Sequence, residues 1–229
     1  MKNWTVDDVM TTKVVTVDLG ASYRAVVDTL MANRVSAVPV VDPFLRVTGV
    51  VSEADLLRKI EYAGDEEPRM FEGRRRRGER GKALARSASD LMSAPAVTVL
   101  TGTPIAAAAR RMDAEGVKRL PVVDELGRLV GIVTRSDLLK VHLRPDEDIR
   151  ADIEAAVLHG PLSGRAAEVT VTVEDGAVTL AGKVELWSTA YEVARLSRQV
   201  AGVAEVTDEV GFESDDRFSY SPGTAYGAL

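Results

Sequence analysis

The chain of 229 residues contains no cysteine, only two histidines and few aromatic residues, which make up 5% of it. Without cysteine it has no disulfide, no thiolate metal ligand and no cysteine nucleophile. Its apolar runs are all far shorter than the roughly 20 residues of a membrane-spanning helix. The first eight residues include two acidic side chains and no apolar segment, unlike a secretory signal. These absences predict a soluble, cytoplasmic protein.

The short motifs of common catalytic and cofactor sites are also missing. The sequence has no GxxxxGK[ST], no GxGxxG and no HExxH. Its two histidines, His142 and His159, lie far apart and have no ligand-like partner nearby in the sequence. We therefore predict no catalytic residue, no metal site and no enzymatic activity.

Charge is distributed unevenly along the chain, whose net charge is −6. Residues 1–145 carry 23 basic and 19 acidic side chains, a net charge of +4. Residues 146–216 carry 5 basic and 16 acidic side chains, a net charge of −11. This asymmetry is typical of two modules with different partners, and ordinary surface solvation accounts for it equally well.

An internal repeat dominates the first 140 residues. With a shift of 82 positions, residues 8–58 align with residues 90–140 without a gap and share 19 identities in 51 positions. A gapless repeat of this length indicates two copies of one structural unit. A copy of about 50 residues buries too little surface by itself, so we expect the two copies to pack into one core.

Each copy is predicted to fold in the order β-α-β-β-α. In the first copy Ser22 is the predicted N-cap of a helix whose inner face carries four apolar side chains, Val26, Val27, Leu30 and Met31. In the second copy Thr103 is the predicted N-cap, and Pro104 the first-turn residue, of the corresponding helix.

Residues 60–86 join the copies and have no counterpart in either. Residues 71–86 contain seven basic and two acidic side chains, including the run Arg74–Arg80. No aromatic side chain is interleaved with these arginines, which favours a solvated connector. A weak contact with a polyanion or nucleic acid is the alternative.

A third unit follows residue 145, and its pattern predicts the order αββαβ. The helices are expected over 146–158 and 187–200, and the strands over 168–173, 177–184 and 203–210, with a hairpin turn at 174–176. From residue 213 serine, glycine and aspartate dominate, which predicts a disordered tail. The fold class is thus mixed α/β (α+β), with segments at 1–59, 60–86, 87–143, 146–212 and 213–229.

Both copies end in the pattern Gly-x-x-[Ser/Thr]-x-x-Asp, at 49–55 and 131–137. The pattern places a hydroxyl (Ser52 or Thr134) and a carboxylate (Asp55 or Asp137) where a strand passes into a helix. A helix N-terminus attracts phosphate, and the carboxylate can accept hydrogen bonds from ribose hydroxyls. Ordinary helix capping explains the same residue types equally well.

The repeat and this pattern resemble the cystathionine β-synthase (CBS) domain family, whose domains occur in pairs called Bateman modules. Further shared features are Met-[Thr/Ser] at positions 10 and 92, Thr-Val at 16 and 98, and Pro-Val-Val-Asp at 39 and 121. The resemblance covers residues 6–142 apart from the connector. It implies clefts between the copies that bind AMP, ADP, ATP or S-adenosylmethionine. It also implies a homodimer in which four repeats form a disc.

By this resemblance Asp55 and Asp137 bind ribose and Ser52 and Thr134 lie beside the phosphate. Residues before the Thr-Val pairs, such as Val14 and Ala96, would meet the adenine. The copies differ where phosphate charge would be met. The second copy has Lys118, Arg119 and Arg135 at the positions of Ser36, Ala37 and Glu53. The sequence does not assign these cations to one cleft, and a solvated strand edge is the alternative for the Lys-Arg pair.

The third unit resembles the BON domain family, through alternating valines and glycines over residues 171–184 and Val-Ala-Gly-Val at 200–203. Members of that family are often periplasmic and are associated with phospholipid binding or anchoring. A net charge of −11 would repel anionic headgroups, so we expect a protein contact or signal output instead of membrane binding.

The sequence therefore predicts a non-catalytic sensor that requires no cofactor and binds an adenosine-containing molecule between the repeats. A second copy of the chain and an unidentified protein, contacted through the BON domain, are the expected partners. The alternative is a constitutive structural adaptor without a ligand. We expect Asp137→Ala to weaken ligand binding with little loss of folding stability.

Overall fold

The computed structural model describes residues 4–61, 85–160 and 162–218. The chain divides into two compact units, Thr5–Leu138 and a second unit that comprises the chain from Leu139 together with Trp4. Most of the predicted connector, including the run Arg74–Arg80, lies outside the described residues. None of the described helices is both long and apolar enough to cross a membrane.

The first unit holds the two repeats, and the mixed fold class and the β-α-β-β-α order are confirmed. A short helix precedes that order in each copy. The first repeat contains α1 (Val6–Val9), β1 (Val17–Asp18), α2 (Tyr23–Asn33), β2 (Ala37–Val41), β3 (Val47–Ser52) and α3 (Glu53–Glu61). The second contains α4 (Ala88–Leu91), β4 (Val99–Leu100), α5 (Ile105–Ala114), β5 (Arg119–Val123), β6 (Leu129–Thr134) and α6 (Arg135–Leu139).

Each repeat forms a three-stranded sheet with β2 or β5 in the centre. The central strand is parallel to the first strand and antiparallel to the third. The pairings keep the shift of 82, since Val17 pairs with Val40 and Val99 with Val122. All five residues of β2 are buried. This explains why β2 is an unbroken apolar run, as expected for a strand covered on both faces.

The short helix that opens each repeat packs against the other repeat. The amide of Val6 donates to the Thr103 carbonyl at 2.9 Å, and the amide of Ala88 donates to the Ala21 carbonyl at 2.8 Å. The hydrophobic core of the first repeat accordingly includes Ala88 and Leu91 of the second. The sequence repeat is therefore not the packing unit, because the copies exchange their first helices.

Two methionines complete this exchange by lying over glycines in the third strands. A Cβ added at Gly131 would fall 2.3 Å from Met10 Sδ, and one added at Gly49 would fall 2.5 Å from Met92 Sδ. Both distances are well inside van der Waals contact. The glycines that the repeat shares are thus required by close approach of the opposite copy.

The helix after the first strand differs in detail from its prediction in both copies. Ser22 is confirmed as a cap, since its Oγ accepts a hydrogen bond from the Ala25 amide at 3.2 Å. Met31 was expected on the inner face but is 73% exposed. Only Val26 and Leu30, spaced by one helical turn, are buried on α2, and a side chain one position beyond Leu30 points about 100° away from it.

In the second repeat the predicted N-cap is wrong. Pro104 occupies the cap position of α5, and no side chain caps that helix there. The Thr103 hydroxyl instead donates to the Leu100 carbonyl at 2.6 Å, closing the preceding turn.

The second unit has the predicted αββαβ order, after a 3-10 helix at Lys140–Leu143. Its elements are α7 (Asp146–Val157), β7 (Thr170–Glu174), β8 (Ala177–Leu186), α8 (Trp187–Arg198) and β9 (Glu205–Ser214). Strand β8 lies in the centre, antiparallel to β7 and parallel to β9. Asp175 and Gly176 join β7 to β8 with positive φ at both residues, as the predicted tight hairpin requires.

The C-terminal part of this unit is ordered further than predicted. Strand β9 reaches Ser214, and the Asp216 carboxylate accepts hydrogen bonds from the amide and hydroxyl of Ser188, at 2.9 and 2.6 Å. These bonds lower the pKa of Asp216 and satisfy the N-terminus of α8. The polar composition that predicted a tail from residue 213 thus provides a helix cap. Residues 219–229 lie outside the described residues.

Candidate functional site

The two carboxylates of the repeated pattern lie in the first turns of α3 and α6, and each accepts hydrogen bonds from the residue that precedes its helix. Asp55 Oδ2 accepts hydrogen bonds from the amide and hydroxyl of Ser52, at 2.9 and 2.7 Å. Asp137 Oδ2 accepts the equivalent bonds from Thr134, also at 2.9 and 2.7 Å. Asp55 is 6% exposed and Asp137 is 8% exposed. The capping alternative therefore describes a real contact, which holds each hydroxyl and carboxylate in the same geometry in both copies.

These contacts change the expectation for alanine substitutions. Removing a capping side chain costs about 0.5–2 kcal/mol of stability. The expectation that Asp137→Ala leaves stability almost unchanged is therefore revised, because this carboxylate is buried and accepts two hydrogen bonds. A change from aspartate to asparagine keeps an acceptor oxygen and is the better probe of ligand binding.

The first cleft lies between the repeats and has a volume of about 500 Å³. It brings together Ser52 and Asp55 of the first repeat with Ala96, Lys118 and Arg119 of the second. Five of the predicted site residues, far apart in the sequence, thus line one space. The clefts of small-molecule sites commonly have this size, with a few polar groups on an apolar wall.

The wall of the first cleft is mainly aliphatic. It includes side chains that the sequence analysis did not single out: Val50, Leu57, Pro95, Val97 and Val117. Leu57 is 58% exposed, and an apolar side chain at the mouth of a cleft is suited to contact the flat face of a base. These residues flank predicted site residues in the sequence, but their own residue types carry no signal for a site.

The second cleft, of about 480 Å³, lies near the corresponding pattern of the second repeat. It is lined by the predicted residues Thr134 and Arg135 and shares Lys118 and Arg119 with the first cleft. Arg34, Val35, Ser36 and Ser136 complete the described lining. The predicted residues Asp137 and Val14 are not among the described residues that line this cleft. Asp137 lies on α6 beside Thr134, and Val14 is half-buried in the loop before β1.

Arg119 connects the two clefts. Its guanidinium donates to Ser36 Oγ at 2.6 Å and to the Ala37 carbonyl at 3.5 Å. Ala37 is the residue of the first repeat that is equivalent to Arg119. The Arg119 side chain thus bonds to the equivalent strand of the other repeat. Burial lowers the pKa of Arg119 and the nearby Glu53 carboxylate opposes that shift. The guanidinium remains charged at neutral pH.

Within the described ranges 4–61, 85–160 and 162–218, no three or more His, Asp or Glu side chains are grouped so that they could hold a metal ion. The polar chemistry of the two clefts thus comes from hydroxyls, carboxylates and cations, which are groups that bind the ribose and phosphates of nucleotides.

Comparison with protein families confirms both resemblances. The model of the CBS domain matches residues 6–62 and 88–144, and that of the BON domain matches residues 145–213. A CBS domain-containing protein of Dictyostelium discoideum is 31% identical over 144 residues, which cover 63% of this chain and 94% of that protein.

Two further relatives bear on function. A crystal structure of CBSX2 of Arabidopsis thaliana in complex with AMP has a TM-score of 0.54 and 30% identity, and the match covers 61% of this chain and 97% of that one. A homoserine O-acetyltransferase of Methanococcoides burtonii is 31% identical over 136 residues, covering 58% of this chain. That match covers only 23% of the enzyme, so its reaction is not transferred to this chain.

Proposed function

Because the chain belongs to the CBS domain family and continues into a BON domain, we propose that it is a non-catalytic regulatory protein that binds an adenine nucleotide. The observation that carries the proposal is the first cleft. It gathers a capped hydroxyl–carboxylate pair, an aliphatic wall and two cations, in a fold similar to that of a protein crystallised with AMP. Each of these groups matches one part of a nucleotide.

In this proposal the adenine contacts Ala96 and the aliphatic wall, and Asp55 accepts hydrogen bonds from the ribose hydroxyls. The phosphate lies toward Ser52, Lys118 and Arg119. Asp137, Thr134 and Val14 are the residues of the second repeat to which the CBS resemblance assigns the same roles. Binding regulates the protein only if two arrangements of the chain differ in affinity for the ligand.

The test is isothermal calorimetry with AMP and ATP on the full chain, with Asp55→Asn as the variant. We expect the variant to lose about tenfold or more in affinity, since hydrogen bonds to a charged group contribute about 1.5–3 kcal/mol. Asp113→Asn, at an exposed position of α5 outside both clefts, is the matched control and should bind like the original chain. Failure of the unmodified chain to bind either nucleotide would favour the ligand-free adaptor.

The same samples report on assembly. We propose a homodimer, supported by exposed apolar side chains on the repeats, such as Met31 at 73% and Ile60 at 69%. Light scattering should then give twice the chain mass of 24.6 kDa. A monomer would favour the alternative in which the connector covers these faces through Met70 and Phe71, which lie outside the described residues.

We propose that the chain is cytoplasmic and that its BON domain is the output module, which contacts another protein. Its acidic character supports this role over binding to an anionic membrane, because residues 146–216 contain 16 acidic and only 5 basic side chains. A contact between the Arg74–Arg80 run and a polyanion stays a prediction.

A further inference from the structure

The two clefts share two cations, Lys118 and Arg119, and the neutral side chain of Ser36 also lines both of them. The second cleft adds Arg34, which ends α2, and Arg135, which begins α6. The second cleft is therefore lined by four basic side chains, and its described lining contains no carboxylate. We name these four residues the basic basin: Arg34, Lys118, Arg119 and Arg135.

The basin is not a property of the repeated fold, because three of its residues belong to the second repeat and only Arg34 belongs to the first. Arg135 corresponds to Glu53 of the first repeat, which lines the first cleft and interacts electrostatically with Arg119. Lys118 and Arg119 correspond to the neutral Ser36 and Ala37. The described lining thus changes from mixed charge in the first cleft to basic side chains alone in the second, where the nearby Asp137 carboxylate is bonded to Thr134 and is not part of the lining.

The positive charge of the basin should favour adenosine ligands that carry more phosphate groups. Arginine and lysine bind phosphate oxygens through charge-assisted hydrogen bonds, and each further phosphate adds negative charge for them to meet. A monophosphate in the first cleft is served by Lys118 and Arg119 alone. S-Adenosylmethionine places a sulfonium where the phosphates of a nucleotide would lie, and positive charge beside the basin is repelled.

Building on the proposed nucleotide site, we propose that the ligand class is a nucleoside triphosphate and that one such molecule binds per chain. Its adenosine occupies the first cleft. Its polyphosphate passes Lys118 and Arg119 and extends into the basin toward Arg34 and Arg135. A second triphosphate is excluded because both tails would require the same two shared cations.

The test is calorimetry on the full chain, in buffer without divalent cations, with ATP, AMP, S-adenosylmethionine and inorganic tripolyphosphate as probes. We expect ATP to bind at least tenfold more tightly than AMP, with one ATP per chain. We expect S-adenosylmethionine to be the weakest nucleoside ligand. Tripolyphosphate should bind more weakly than ATP and compete with it.

Two variants address the basin directly. Arg135→Ala and Arg34→Asn should each weaken ATP by about tenfold and AMP by a smaller factor. Asparagine is chosen because Arg34 has a φ of 52°, a left-handed conformation that asparagine tolerates. Arg24→Ala, an exposed arginine elsewhere on α2, is the matched control and should leave both affinities unchanged.

The outcomes separate this inference from the proposed function. Equal affinities for AMP and ATP, or two ATP molecules per chain, would overturn the inference and leave the nucleotide site intact. Binding of neither nucleotide would overturn both. Tripolyphosphate binding as tightly as ATP would show that the basin recognises polyphosphate without the nucleoside, which also overturns the inference.

Discussion

The two repeats share a backbone but not a set of charges. Their strands pair in the same register, and Asp55 and Asp137 accept the same two hydrogen bonds at the same distances. At the positions of Ser36, Ala37 and Glu53, however, the second repeat has Lys118, Arg119 and Arg135. A duplicated scaffold thus keeps the hydroxyl–carboxylate pair that stabilises its helix ends, while the charges at three other positions in the cleft linings diverge.

The largest difference in stability between equivalent variants of the two repeats is expected when their packed glycines are replaced by alanine. A Cβ at Gly49 would lie 2.9 Å from Met92 Cβ as well as 2.5 Å from its sulfur. A Cβ at Gly131 would meet Met10 farther along its side chain, with Sδ nearest, Cγ at 3.0 Å and Cε at 3.3 Å. We expect Gly49→Ala to cost about 1–3 kcal/mol and Gly131→Ala less, because overpacking is relieved more easily at a flexible chain end.

Urea denaturation of both variants measures this. Gly20→Ala serves as the control, since its added Cβ would meet only Asp18 Oδ1 at 3.4 Å. A cost at Gly131 equal to or above that at Gly49 would contradict this account of the packing.

Removing either of the two capping carboxylates is expected to lower the stability of the chain by a similar, intermediate amount. Asp55→Ala and Asp137→Ala should each lower the free energy of unfolding by about 0.5–2 kcal/mol without ligand, because each loses the same pair of hydrogen bonds. Thermal or urea unfolding of the ligand-free chain provides the measurement. Asp18→Ala, on an exposed side chain of β1, should change stability far less. Unequal costs would show that the carboxylates are not structurally equivalent.

The smallest effect is expected for membrane binding by the C-terminal module. A fragment spanning 139–218 should not co-sediment with anionic vesicles at near-physiological salt, because its surface is strongly acidic. The fragment begins at Leu139 so that it keeps Arg144, which donates to the Ala201 carbonyl at 2.5 Å and pairs with Asp152 at 2.7 Å. Circular dichroism confirms its folding, and neutral vesicles are the control. Binding to the anionic vesicles would restore the lipid role of the family.

Local features were predictable because the interactions that produce them span only a few residues. The Ser22 cap and the Asp175-Gly176 hairpin are examples, since a side-chain cap and a tight turn are encoded within about four positions. The predicted Thr103 cap was wrong because its hydroxyl closes a turn instead of capping a helix, and both uses suit the same residue type. The cap that Asp216 provides was not predictable because Ser188, to which it bonds, lies 28 residues earlier in the chain.

The repeat, the β-α-β-β-α and αββαβ orders, and the residues at equivalent places in the two copies could be predicted from the sequence alone, but the short helices α1 and α4 could not. Hydrophobic periodicity and the repeat are sufficient for those predictions. The exchange of α1 and α4 between the copies and the hydrogen bond from Arg119 to Ser36 depend on how the two copies pack. Those contacts join residues 67 to 97 positions apart. The energy of such a contact depends on which surfaces the packed core brings together, not on any pattern along the chain.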